Sequence, residues 1–207
     1  MNVHLLIFAA SMRTRDESKE LKIRQKALAM VAKFGYDAFS MQRLAKEAGV
    51  SPATIYIYYK DKEDLILSLY KEESKKMADE TLKGFDPSMS FSEGLRLQWV
   101  SRAKYCMKYP EQMLFLEQIK LSSLHAQAWP MLGDDFRRIM KEFVTNAIKN
   151  KELVKVQVEV YWSVAFAPLY NLVRFHMAGK NMGGDAFVLT DTIMMNTLEL
   201  VLKALRP

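Results

Sequence analysis

The stretch Ser40-Met41-Gln42-Arg43-Leu44-Ala45-Lys46-Glu47-Ala48-Gly49-Val50-Ser51-Pro52-Ala53-Thr54-Ile55-Tyr56 decides how this chain is read. Ser40 offers a side-chain oxygen to cap a short helix through Ala48, with Leu44 and Ala45 facing inward. Gly49 closes that helix, because glycine takes the positive φ of a tight turn without steric cost. Ser51 caps a second helix, and Pro52 stands at its first position, where a missing N–H costs nothing. Val50 and Ile55 fasten the second helix to the first. The pattern is helix, tight turn, helix. In units of this shape the second helix enters a DNA major groove N-terminus first, while the first braces against the backbone.

Working outward, Ile23, Ala27, Met30, Val31 and Phe34 fall on one helical face, and Gly35 ends that helix. On the other side Asp61 starts a fourth helix, with Asp64 three residues later in a capping-box arrangement. It runs through Leu65, Leu69 and Met77 to a break around Gly84-Phe85-Asp86-Pro87. Leu44, Ala45, Val50, Ile55 and Tyr59 are the expected core of the small unit. The expected DNA contacts follow from side-chain chemistry. Ser51, Pro52, Ala53 and Thr54 are small and let the helix backbone approach base edges, while Tyr56 and Tyr58 carry rigid hydroxyls suited to phosphate. Lys60 and Lys62 bring charge beside a helix N-terminus, and Gln42 and Arg43 lie on the bracing helix.

The charge distribution agrees. Of the formal +6 carried by 207 residues, residues 1–60 hold ten Lys/Arg against five Asp/Glu, and residues 61–207 hold twenty against nineteen. The basic excess sits where a polyanion is expected. Half the residues are hydrophobic and 26% are charged, ordinary for a globular chain of this size. Cys106 is the sole cysteine, so no intrachain disulfide forms. No apolar run is long enough to span a bilayer, which points to a cytoplasmic protein with no membrane partner. The apolar run Val3 to Ala10 reads as an N-terminal extension packing on the body, with a start at Met12 as the alternative.

The run from Phe34-Gly35-Tyr36 through Leu65, with its core Ala48-Gly49-Val50-Ser51-Pro52-Ala53-Thr54-Ile55-Tyr56-Ile57-Tyr58-Tyr59-Lys60-Asp61-Lys62-Glu63-Asp64-Leu65, resembles the DNA-binding domain of the TetR family of bacterial regulators. The likeness covers roughly residues 20–70. Ala53 stands where glycine is common in that family, and Ile57 where a polar or aromatic residue is common. The resemblance implies a homodimer that binds a double-stranded DNA operator, a repressor released by a small apolar or aromatic effector of unknown identity. It implies no cofactor and no enzymatic activity.

The rest of the chain reads as helices at about 91–109, 110–124, 131–150, 156–178 and 185–205, so the fold expected is all-α. The expected domains are an extension at 1–17, a three-helix helix-turn-helix domain at 18–62, and a larger helical ligand-binding and dimerisation domain at 63–207. Residues 156–177 are apolar on nearly all sides, and Pro168 bends that helix. Polar residues that interrupt apolar stretches, Gln118, Tyr170, Asn171 and His176, are the expected ligand anchors. In the last helix Val188, Met195 and Leu202 repeat at seven-residue spacing, as do Phe187, Met194 and Val201, with Leu198 between them. By the resemblance, this stripe meets its symmetry mate in a four-helix interface. An enzyme is disfavoured: His4, His125 and His176 have no metal-ligand spacing, and no phosphate-cradling glycine loop or nucleophile elbow occurs. A DNA-binding protein that needs no ligand is the remaining alternative.

Overall fold

In the computed structural model the backbone is described for residues 3–207 and the side chains for residues 17–207, so the packing expected of the apolar run Val3 to Ala10 lies outside the described residues. Helices account for nearly all the regular structure among the described residues: α1 Val3–Phe34, α2 Met41–Ala48, α3 Pro52–Tyr58, α4 Lys62–Thr81, α5 Phe91–Lys108, α6 Pro110–Lys120, α7 His125–Ala128, α8 Asp134–Lys149, α9 Val158–Ala165, α10 Ala167–Ala178 and α11 Asp191–Leu205. The fold is all-α, with an N-terminal helix-turn-helix and a larger helical part. Two compact units share the chain. The first holds the residues up to Ser74 together with Glu111–Met131, and the second holds Lys75–Pro110 and Leu132–Pro207. Helix α6 therefore groups with the helix-turn-helix, a division that differs from the sequence boundary between 62 and 63.

In the first unit the local signals produce the expected elements. The Ser40 side chain accepts a hydrogen bond from the Arg43 amide, and Gly49, at φ 67°, donates its own amide to Ala45 and Lys46 carbonyls. Val50 N–H then closes on the Ala45 carbonyl at 3.0 Å, so the turn satisfies the orphan carbonyls of α2. Ile23, Ala27, Val31, Leu44, Ile55, Leu65 and Ile66 are fully buried, joining α1, α2, α3 and α4 in one core. Met113, Phe115, Leu116 and Ile119 form the buried face of α6.

In the second unit α5 is buried on a broad face that includes Leu95, Gln98, Trp99, Arg102 and Cys106. The Trp99 indole donates to the Ala165 carbonyl at 2.7 Å. That carbonyl is free to accept because the helix expected at 156–178 is two helices, broken at Phe166 (φ −126°, ψ −28°). Pro168 explains the break. It has no N–H to continue the ladder, so a new helix starts and takes proline in its first turn. The last helix begins at Asp191 instead of 185, because Thr190 caps it by accepting from the Ile193 amide. The backbone before it is held by a bridge between Lys180 and Ala186.

Gly94 faces a close neighbour: a Cβ there would overlap the edge of the Phe143 ring, which is itself wedged between Phe85 and Phe91 with ring centroids 5.1 and 5.9 Å away. Overpacking of this kind costs about 1–3 kcal/mol. Gly94→Ala is expected to lower stability by that amount despite its better helix propensity, read as a reduced urea midpoint at unchanged m-value. A midpoint at or above that of the parent protein refutes this packing account.

Candidate functional site

Helix α3 has seven residues. Ser51 caps it, accepting from the Thr54 amide at 3.2 Å, and the Ser51 and Thr54 hydroxyls lie 2.9 Å apart. Ile55 is its buried anchor. At its C-terminal end Tyr59 enters a polar cluster: the phenol accepts from Arg24 Nη1 at 2.8 Å and donates to Glu20 at 2.8 Å. The same Arg24 donates to Ser68 Oγ at 3.2 Å and pairs with Glu72. Burial, more than the neighbouring charges, pushes the Tyr59 hydroxyl up to about 12. One guanidinium thus ties α1 to the end of α3 and to α4.

With α3 held in this way, Ser51, Pro52, Ala53 and Tyr56 face solvent, with Tyr56 53% exposed. Thr54 and Tyr58 are half-buried, and Gln42, Arg43 and Lys60 are exposed. The Arg43 guanidinium lies over the Phe34 ring, 4.1 Å from its centroid. Ile57 is 76% exposed, one turn on from Ala53 on the same outward face. The sequence reading left it out of the contact set. Its signal was its position, four residues after Ala53 and two after the anchor Ile55.

Lys62 is placed differently from the expectation. Its ammonium donates to the Tyr36 carbonyl at 2.8 Å and sits 3.9 Å from the centroid of the Tyr36 ring. Burial lowers its pKa, against the opposing pull of Asp37 and Glu63. The start of α4 is also less open to an anion than expected. The Asp61 carboxylate accepts from the Asp64 amide, and the Asp64 carboxylate accepts from the Lys60 amide, both at 2.9 Å. Acidic side chains already occupy the amides that a phosphate would seek. Lys62 therefore braces the loop at Tyr36, and Lys60 is the exposed cation of the pair.

The expected ligand anchors divide between the two units. Gln118 belongs to the first unit, close to Gly35, while Asn171 is exposed. His176 Nδ1 accepts from the Leu189 amide at 3.2 Å. Tyr170 is the one that meets another polar centre of the second unit, Arg102. Arg102 is 1% exposed; Nη1 donates to Tyr170 Oη at 2.9 Å and Nη2 to Gln98 Oε1 at 3.0 Å. Among the described residues no carboxylate pairs with it, and its Nε has no partner. A buried, uncompensated charge costs several kcal/mol, so it calls for an explanation. The sequence reading missed it, although an arginine on the apolar row Leu95, Trp99, Cys106 was the available signal.

On α11, Met194, Leu198, Val201 and Leu202 are buried within their own unit, Met195 is half-buried, and Val188 before the helix is 61% exposed. Most of the stripe assigned to a partner therefore packs at home. Seven-residue spacing identifies an apolar face without saying what covers it.

A short capped helix held outward on a three-helix core, with small residues and an exposed tyrosine on its free face, defines a helix-turn-helix DNA-binding unit. Residues 23–69, which hold this unit, match the family described as bacterial regulatory proteins, tetR family. A fatty acid metabolism regulator protein of Bacillus subtilis is 43% identical over 54 residues, 26% of this chain and 28% of the relative. The chain thus matches well under two thirds of that relative's length. A TetR family transcription regulator from Marinobacter aquaeolei VT8 has a similar structure, with TM-score 0.69 at 28% identity, covering 94% of this chain and 98% of that one. The regulator FadR from Bacillus subtilis, solved in complex with stearoyl-CoA, aligns with TM-score 0.67 at 21% identity over 90% of this chain and 100% of its own, a likeness of fold.

The two lysines should separate in experiment. Lys60→Ala is expected to flatten the log–log salt dependence of DNA affinity by about one unit. Lys62→Ala is expected to leave that slope nearly unchanged and to lower unfolding stability by about 1–2 kcal/mol, through the lost hydrogen bond and ring contact. A salt slope that falls only in Lys62→Ala reverses the assignment.

Proposed function

We propose that the chain is a sequence-specific transcriptional regulator that binds its operator as a homodimer and is released from it, as a repressor, by a small apolar or aromatic ligand. The observation that carries the DNA-binding half is the outward face of α3: Ser51, Pro52, Ala53, Tyr56 and Ile57 are exposed on a helix whose inner side is anchored by Ile55. A β-branched apolar side chain left in water on that face suits contact with a thymine methyl in the major groove. The second half draws support from the likeness to a fatty acid metabolism regulator and to a fold that holds stearoyl-CoA in its own crystal. No helix is long and apolar enough to cross a membrane among the described residues, and the protein's place is with the DNA, in the cytoplasm.

Dimerisation is favoured by apolar residues that the unit leaves uncovered, among them Val158, Val160, Val188 and Leu200. Two-fold symmetry then sets two copies of α3 about 34–36 Å apart, in successive major grooves. Helix α4 runs from Lys62 beside the reading unit to Thr81, and its displacement by ligand changes that separation. A coupling of about 1–3 kcal/mol, or about 5- to 150-fold in affinity, suffices.

Selection of duplexes from a random pool by the purified protein is expected to return an inverted repeat with half-sites one helical turn apart, or a multiple of it. An asymmetric site bound by a monomer overturns the proposal. Cross-linking the two N-terminal units at the DNA-competent separation should abolish release by ligand while leaving ligand binding intact. Release from the cross-linked dimer refutes the displacement mechanism.

A further inference from the structure

Arg102 lies fully inside the second unit and meets only neutral partners among the described residues. Its guanidinium faces the rings of Phe166, Trp162 and Phe136, at 4.5, 5.3 and 5.8 Å from their centroids. In the same unit the Tyr161 hydroxyl is also buried and has no hydrogen-bond partner. Both groups pack against the Phe166 ring, the guanidinium 4.5 Å and the Tyr161 ring 6.2 Å from its centroid, and burial raises the Tyr161 pKa while the Arg102 charge pulls the other way. Two unused donors, Nε–H and a phenol O–H, and one uncompensated positive charge thus belong to side chains that pack around the same Phe166 ring. Folded proteins seldom leave such a combination unanswered.

We propose that Arg102, with Tyr161 beside it, anchors the carboxylate of an apolar monocarboxylic acid, and that this acid is the effector. The inference rests on the ligand-sensing half of the proposed function and names the chemistry of its ligand. A carboxylate supplies the missing negative charge and accepts from both unused donors, and the aromatic walls take an apolar body. An alcohol or ester brings no charge, and a bulkier dianion exceeds what a single guanidinium neutralises. Arg102 is 1% exposed, so in the proposal the ligand enters by displacing the rings that cover it. The break at Phe166 supplies the freedom: the ring nearest the guanidinium stands at the junction of two short helices instead of inside one long one. The site also reaches α4. Gln98, which accepts from Arg102, donates its amide to the carbonyl of Thr81, the last residue of α4, at 2.7 Å.

The test uses the full-length protein with decanoate and phenylacetate as acids, and decanol, methyl decanoate and methyl phenylacetate as neutral controls. Calorimetry is expected to show saturable binding of at least one acid and about tenfold or weaker binding of its neutral counterparts. The acid that binds tells a long-chain source from an aromatic one. Arg102→Met is expected to abolish acid binding, and Tyr161→Phe to weaken it about three- to tenfold. Without ligand, Arg102→Met should keep or raise the melting temperature, because it removes an uncompensated buried charge. Neutral analogues binding as well as the acids, unchanged acid binding by Arg102→Met, or a lowered melting temperature in that variant with no acid bound by the parent protein would each overturn the proposal. Acid binding that depends on Arg102 but leaves operator affinity unchanged supports the anchor and removes the release mechanism instead, so the two readings fail separately.

Discussion

A helix of seven residues cannot hold its shape in water, because nucleation consumes more conformational entropy than two turns of hydrogen bonds return. Helix α3 is that short, and it presents the exposed face proposed to read DNA. Everything around it in the first unit supplies what its length withholds. Ser51 fixes its first turn, Ile55 pins its inner side, and Tyr59 ties its end to Arg24. Arg24 reaches Ser68 and Glu72 as well, so one buried-to-surface cluster sets α3 against both α1 and α4. The outward residues are pre-positioned by bonds they do not themselves make. Binding then orders little new backbone, and the entropy cost of recognition stays low.

The same economy decides which cations are available to phosphate. Charge counted along the sequence treats every lysine alike, but Lys62 is bound to the Tyr36 carbonyl and its ring, and Arg43 leans on Phe34. The two behave differently, because Arg43 remains exposed and can hold a ring with one face of its guanidinium and a phosphate with its edge. Lys62 is half-buried, and moving its ammonium to a phosphate would leave the Tyr36 carbonyl without its donor. Acidic caps at Asp61 and Asp64 reinforce the distinction by filling the amides at the start of α4.

These cases show what was legible in the sequence and what was not. Caps, turn and core of the helix-turn-helix were legible, because Ser40, Gly49, Ser51 and Pro52 act on backbone within a few residues of themselves. The Lys62 bond was not, since its acceptor lies 26 residues away. Helical spacing showed that residues 156–178 are apolar, and Pro168 marked trouble in them. It did not show that the chain stops at Phe166 and starts again. The row Met194, Leu198, Val201 and Leu202 was correctly apolar, but period gives a direction around the helix and no identity for what lies there. Arg102 escaped for the converse reason. A long charged side chain is expected to reach solvent, and its depth is set by Phe166, Trp162 and Phe136 from helices distant in sequence.

A buried charge without a counter-ion has a consequence for switching that an apolar pocket lacks. A ligand shifts a conformational equilibrium only by its difference in affinity between the two states. An apolar body gains nearly the same transfer energy from any greasy cleft, so it discriminates weakly between neighbouring conformations. A carboxylate that meets Arg102 gains much only where the guanidinium edge and the Tyr161 hydroxyl both face it, because charge-assisted hydrogen bonds depend steeply on geometry. In the proposal, the anion therefore favours those arrangements of the rings around Phe166 that let both donors face it. Arg102 is bonded to Gln98, and Gln98 to the last carbonyl of α4. A reorientation of the guanidinium toward an anion acts on the Gln98 amide directly, and Gln98 cannot follow without straining or releasing its bond to Thr81. In the proposed switch, the cost of burying the Arg102 charge without a counter-ion becomes the free-energy difference through which a carboxylate acts on the Gln98–Thr81 bond at the end of α4.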